Sequence, residues 1–157
     1  MAAGDVYTLV HRRIVVASAI TILQVKAGPN YGFEILRAWI SQHLSTTSAQ
    51  VQASLIRKSA AATVTAAVVG TTLLKQDPNG PTPDLVLSTT GTGLTATAEG
   101  TDSDEIYPDG FNVLNGWLYL PVPEEREIIP QSGIIALKFV VAQASHTFTA
   151  GIRVRER

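Results

Sequence analysis

Histidine, serine, cysteine and clustered carboxylates are the side chains that most often carry catalysis or hold metal ions, and their spacing in this chain favours neither. The three histidines, His11, His43 and His146, lie too far apart for the H-E-x-x-H or Cys/His spacings that bring ligands to one ion. Each reads as a surface or strand-edge residue. There is no cysteine, which excludes disulfides, thiolate metal sites and a thiol nucleophile. Serines are plentiful, but no G-x-S-x-G elbow presents one as a nucleophile. Gly91-Thr92-Gly93-Leu94 lacks the Lys-Ser/Thr of a phosphate-binding loop and the third glycine of a dinucleotide fingerprint, so it reads as a turn or loop.

The carboxylates come closest to a constellation. Asp102, Asp104 and Glu105 place oxygens two residues apart, as Ca²⁺ loops do, but the glycine and distal glutamate of such a loop are missing. Asp77-Pro78-Asn79-Gly80 is first of all a turn. Glu124, Glu125 and Glu127, bounded by Pro123 and Pro130, fix no separation between paired carboxyls and read as a solvated loop. The expectation is a protein without catalytic residues, cofactor or metal.

Among the cations, Arg12 and Arg13 near one end and Arg153, Arg155 and Arg157 at the other predict a small basic patch if the terminal strands are neighbours. The net charge of −1 and the lack of interleaved aromatics argue against nucleic acid and for contact with an acidic protein surface. Charged residues make up only 16% of the chain, with Ser, Thr, Gly and Ala in their place. A membrane is not expected either. The apolar run that follows His11-Arg12-Arg13 is too short to span a bilayer and has no small-x-small cleavage signature, so it reads as a buried strand.

The elements that would position these groups are strands. Phe148, Ala150, Ile152 and Val154 alternate with polar residues, as do Val51, Ala53 and Leu55, and Leu118, Leu120 and Val122 interleave with Trp117, Tyr119 and Pro121. Residues 14–25, 33–40 and 134–141 are apolar on both faces, which predicts layers or an oligomer. Gly, Pro and Asn turns separate the runs. Residues 49–69 are left as strand or loop, since Thr63, Val64, Thr65, Val68 and Val69 oppose the helix that the alanines would support. Residues 75–110, poor in large apolar side chains, predict a loop-rich excursion. The whole 157-residue chain is expected to be one all-β domain, a sandwich or barrel.

Two segments, Phe33-Glu34-Ile35-Leu36-Arg37-Ala38-Trp39-Ile40-Ser41-Gln42 and Gly110-Phe111-Asn112-Val113-Leu114-Asn115-Gly116-Trp117-Leu118-Tyr119-Leu120-Pro121, resemble small virion proteins of tailed bacteriophages. The later portion, with Pro123-Glu124-Glu125-Arg126, Ile129-Pro130 and Gly133-Ile134-Ile135-Ala136-Leu137, looks like the closing strands of jelly-roll capsid decoration, or cement, proteins. The resemblance is one of pattern across most of the chain. It implies a jelly-roll β domain on the capsid exterior, a homotrimer, and the major capsid protein as partner. Trp39, Phe111, Trp117 and Tyr119 are the large side chains suited to anchor a subunit interface, and Arg153 and Arg155 to probe capsid contact. Two other classes remain: a carbohydrate- or receptor-binding β-sandwich of a fibre or spike, and a cupin-type enzyme, whose His/Glu metal set is not visible here.

Overall fold

Alternating apolar residues force strands, and in the computed structural model, which describes residues 4–43 and 48–157, these strands form two six-stranded antiparallel sheets packed as a sandwich. In chain order they are β1 (Val6–Val16), β2 (Ile20–Lys26), β3 (Phe33–His43), β4 (Gln50–Ala60), β5 (Thr63–Ala66), β6 (Leu73–Lys75), β7 (Gly93–Ala98), β8 (Thr101–Asn112), β9 (Trp117–Tyr119), β10 (Ile128–Ile129), β11 (Ile134–Phe139) and β12 (His146–Glu156). The first sheet, A, has the order β10-β3-β12-β1-β6, with β9 also pairing β3; the second, B, runs β5-β7-β2-β11-β4-β8. No α-helix occurs among the described residues.

The inward faces are those the alternation predicts. Phe148, Ala150, Ile152 and Val154 of β12 meet Ile135, Leu137 and Phe139 of β11 and Val51, Ala53 and Leu55 of β4, all in one buried cluster. Phe139 and Phe148 pack with ring centroids 4.9 Å apart. Burying each large side chain contributes about 1.5–3 kcal/mol, so this cluster outweighs any surface contact in holding the sheets together.

Two expectations are corrected and an open one is resolved. Residues 14–25 are not one strand: the chain leaves sheet A after Val16 and enters sheet B at Ile20, with Ala17, Ser18 and Ala19 exposed at the crossing. Residues 75–110 are not mainly an excursion, because β7 and most of β8 lie within them. As an edge strand, β8 has little of its length covered, so it needs few apolar residues and accommodates Pro108. Residues 49–69 carry β4 and β5.

The two-sided apolar strands have an explanation within the chain. Ala60 pairs with Thr101 and Thr63 with Ala98, so β4/β8 and β5/β7 form one long ribbon, bent at residues 61–62 and 99–100. A side chain at Gly100 would overlap the Ala60 carbonyl, which is why glycine stands at the bend. The bend is clamped to β2: Ala62 N–H donates to Gln24 Oε1 at 2.9 Å, and Gln24 Nε2 donates to the Gly91 carbonyl at 2.6 Å and the Ala62 carbonyl at 3.3 Å. Gln24 and Ala62 have no exposed surface. The folded-back ribbon thus covers the second face of β2. The accessible surface of 7376 Å² for a 16.7 kDa chain is close to the roughly 7,600 Å² expected of a compact monomer of that mass. Burial in the strands does not by itself require a second copy.

Candidate functional site

The six candidate interface residues separate by strand parity. On the β3–β9 pair, Ile40 faces Trp117 and Ala38 faces Tyr119, so Trp117 and Tyr119 turn inward with their partners and are buried. Phe111 is buried in the same cluster. These three belong to the core and are unavailable to a partner. Trp39, Arg153 and Arg155 lie on the outer face of sheet A. Trp39 is half-buried, with the Arg37 guanidinium 4.8 Å above its ring and Gly151 beneath, where a methyl group would overlap the indole. Opposite Trp39 stands Leu118, half exposed, and Leu120, Val122 and Ile128 continue an apolar row along this edge. Sequence reading missed that row because both parities of residues 117–122 are apolar.

The predicted basic patch is divided. Since β1 and β12 are antiparallel, Arg13 donates its backbone N–H to Thr149 Oγ1 at 3.2 Å, well along β12 from Arg155, which pairs with Val6. Arg37 joins the C-terminal arginines instead, directly opposite Arg153. Glu34, buried on the same face, takes three cations: Arg155 Nε at 3.0 Å, Arg126 at 3.6 Å and Arg157 at 3.9 Å. Arg153 donates to Thr8 Oγ1 at 3.1 Å, and neither it nor Arg37 has a carboxylate partner among the described residues.

The other sequence candidates serve the framework. Asp102 accepts from Lys58 at 2.6 Å and Lys138 at 2.7 Å, and Glu99 accepts from Lys58 at 3.1 Å, Thr21 Oγ1 at 2.7 Å and Thr21 N–H at 2.6 Å. Burial alone would raise both carboxyls; the hydrogen bonds and lysine charges outweigh it and hold them below their ordinary range. This closed set of two cations and two anions pins β8 to sheet B. Asp77 caps its own turn, accepting Asn79 N–H at 2.9 Å. Glu127 pairs with Arg57. His11 Nε2 lies 2.6 Å from Thr95 Oγ1 and burial lowers its pKa, so it is neutral at pH 7. His43 faces Thr147 on the outer surface, whereas His146 is buried one position away. Among the described residues no group of three or more His, Asp or Glu is placed to hold a metal ion.

No family model, curated protein or solved structure matches the chain.

Two further features escaped sequence reading. Along the β8–β9 edge, Ile106, Tyr107, Tyr119, Leu120, Pro121, Glu125 and Glu127 line an open groove of about 320 Å³. Tyr107 is 37% exposed and meets Tyr119 edge-on at 4.9 Å and Trp117 at 5.9 Å. The second feature is Glu156, which follows Ile152 and Val154 inward and is 1% exposed. Its Oε1 accepts the Asp84 N–H at 2.7 Å, while Oε2 has no partner. Above it passes the 76–92 strap, tied further by Tyr7 Oη to the Pro81 carbonyl at 3.1 Å and by Asp84 to Asn30 and Tyr31. Burial, reinforced by the charges of Asp84 and Asp5, pushes the Glu156 carboxyl up to about 7, and burial pushes Tyr7 to about 12.

Proposed function

We propose that this chain is a structural virion protein and not an enzyme: a jelly-roll module that adds as an oligomer to the outside of an assembled bacteriophage capsid and bridges neighbouring major capsid subunits. The jelly-roll part is supported by strand order. β10/β9-β3-β12-β1 in one sheet faces β2-β11-β4-β8 in the other, an order that two interleaved Greek keys would give. The observation that carries a contact function is the outer face of sheet A, where Trp39, Leu118 and Ile128 stand exposed or half exposed among Arg37, Arg153 and Arg155. Apolar anchors with arginines around them suit protein contact, since arginine and the aromatics are the enriched interface residues.

The physics of such a role needs no catalysis. A copy lying across a junction between capsid subunits adds interface that shell expansion must break, and an oligomer multiplies weak contacts by effective concentration, by roughly 10²–10⁴. The test is to compare particles with and without this protein. Those carrying it burst at higher temperature; equal bursting temperatures, or the protein found inside the shell or at the tail, would overturn the assignment. The half-exposed Tyr107 in its groove favours a second reading, a carbohydrate- or receptor-binding module of a fibre or spike, for which saturable binding to soluble glycans is the mark.

A further inference from the structure

Residues 77–84, the part of the strap that passes over Glu156, belong to neither sheet. They are anchored on both sides, where Gln76 N–H donates to the Val6 carbonyl at 2.9 Å and Val86 N–H to the Lys26 carbonyl at 3.0 Å. Pro78, Pro81 and Pro83 stiffen the stretch between and leave it few amides of its own. Its middle is held by side chains. Tyr7 Oη donates to the Pro81 carbonyl at 3.1 Å, the Asn30 and Tyr31 N–H groups donate to the Asp84 carboxylate at 2.9 and 3.0 Å, and Asp84 N–H donates to Glu156 Oε1 at 2.7 Å.

Of these holding groups, Glu156 is the one whose charge changes near neutral pH. Burial, with the charges of Glu156 and Asp5, pushes Tyr7 to about 12, so its hydroxyl stays neutral. Burial would raise Asp84, but the hydrogen bonds from Asn30 and Tyr31 outweigh it and hold this carboxyl below its ordinary range. The charged groups that face Glu156 are therefore Asp84 from the strap and Asp5 from the chain entering β1, both negative. Phe33, opposite it on β3, is apolar. Nearby cations turn elsewhere: Arg155 and Arg157 reach Glu34, and Lys75 Nζ donates to the Gly80 carbonyl at 2.7 Å. Asp77 caps its own turn.

Protonated, Glu156 fits this site. Ionised, it adds a third negative charge where 1% of the residue is exposed, Oε2 has no partner, and only the Asp84 and Leu85 backbone N–H groups meet the carboxylate. Hydrating that charge by parting the sheets breaks the whole core. Moving residues 77–84 breaks a few hydrogen bonds and displaces mostly exposed side chains.

We propose that residues 77–84 form a clasp worked by pH: protonated Glu156 holds it shut, and loss of that proton lets it lift while the two sheets stay closed. The clasp is independent of the capsid reading. Asp77 and Pro78 share an open cleft of about 730 Å³ with Leu36 and Arg155, so lifting reshapes the outer face of sheet A at this end. The direction follows from the carboxyl, which ionises at about 7 in the closed form against 4.5 when exposed. Closure is strongest below pH 4.5, weakens from there to about 7 and then levels off. Opening becomes about two orders of magnitude more frequent across that window.

The test is amide hydrogen exchange of the full chain, read residue by residue by NMR and corrected for the intrinsic pH dependence of exchange. The Asp84 and Leu85 amides report the clasp, and Ile152, buried in the strand between β1 and β3, reports the sandwich. Asp84 and Leu85 are expected to be less protected than Ile152 at every pH. Their protection should fall about a hundredfold from pH 4.5 to 7.5 in the wild type and stay level in Glu156→Gln. Equal protection at Asp84 and Ile152 would mean that the segment opens only with the whole fold, and overturns the proposal. So does a level wild-type profile, or a Glu156→Gln profile that falls in parallel with it. Tyr7→Phe removes the Pro81 anchor and keeps Glu156, so it should lower protection about fivefold at every pH with the slope unchanged. A slope lost in Tyr7→Phe overturns the assignment to Glu156, and that variant decides the matter if Glu156→Gln does not fold.

Discussion

Replacing Glu156 with glutamine changes one oxygen for an amide group and removes one titration from beneath the 76–92 strap. In the folded chain the Glu156 carboxyl ionises near pH 7, against 4.5 when exposed. The folded state therefore binds this proton more tightly than the unfolded state does. Its contribution is complete below pH 4.5 and is lost as pH rises through about 7. A shift of that size corresponds to about 3 kcal/mol, and with 1% of the residue exposed there is little solvent to screen it. In Glu156→Gln the amide oxygen still accepts the Asp84 N–H, and no charge appears at any pH. Urea melts of both proteins between pH 4.5 and 8.5 give the comparison. The two are expected to have similar stability at pH 4.5 and to diverge steadily from there to about pH 7, above which the difference levels off with the variant more stable by about 3 kcal/mol, or about 6–12 °C in melting temperature. Glu99, Asp102 and Asp84 titrate below their ordinary values and His11 is common to both proteins, so the difference curve isolates position 156. Parallel pH profiles would refute the burial argument.

Gly151→Ala is expected to destabilise by about 1–3 kcal/mol, because its methyl displaces the Trp39 indole, and Trp39→Leu on that background should restore part of the loss in thermal melts. Lys58→Met leaves Glu99 and Asp102 with Lys138 alone; a loss of about 2 kcal/mol at pH 7 is expected, shrinking as pH falls below about 4 and the two carboxyls protonate. Trp117→Ala empties a core position and should cost about 3–5 kcal/mol in urea unfolding, as a capsid or subunit anchor on the surface would not. EDTA is expected to leave the melting temperature unchanged.

What sequence made legible follows from how one-sided each strand is. β12 and β4 put apolar residues on one face and polar residues on the other over much of their length, so their inward sets were readable directly. Residues 117–122 offer apolar side chains at both parities, and only pairing with Ile40 and Ala38 decides that Trp117 and Tyr119 go in. β8 escaped because an edge strand bears little of the core, and its acids and Pro108 look like loop. The Arg37–Arg153 apposition depends on a register between strands more than a hundred residues apart, which no local pattern encodes. Glu156 is different: carrying the alternation of Ile152 and Val154 two residues further places it inside, but its charge and its setting between Arg155 and Arg157 give no local sign of burial.

The order of sheet A also governs when the molecule can come into being. β12, the twelfth of these strands in chain order, lies between β1 and β3, the first and third, and supplies a hydrogen-bonding partner for both. Until residues 146–156 have left the ribosome, β1 and β3 have no neighbour to join them and their inner faces have no complete layer to meet. Sheet A is thus expected to assemble only after release of this segment, through contacts of high sequence separation that close slowly. In that interval β1 can pair with β6 and β3 with β9 and β10, but the edges of β1 and β3 that will face β12 stay open to strands of other chains. Yield at high expression should accordingly depend on temperature and on chaperone capacity more than on the stability of the finished sandwich.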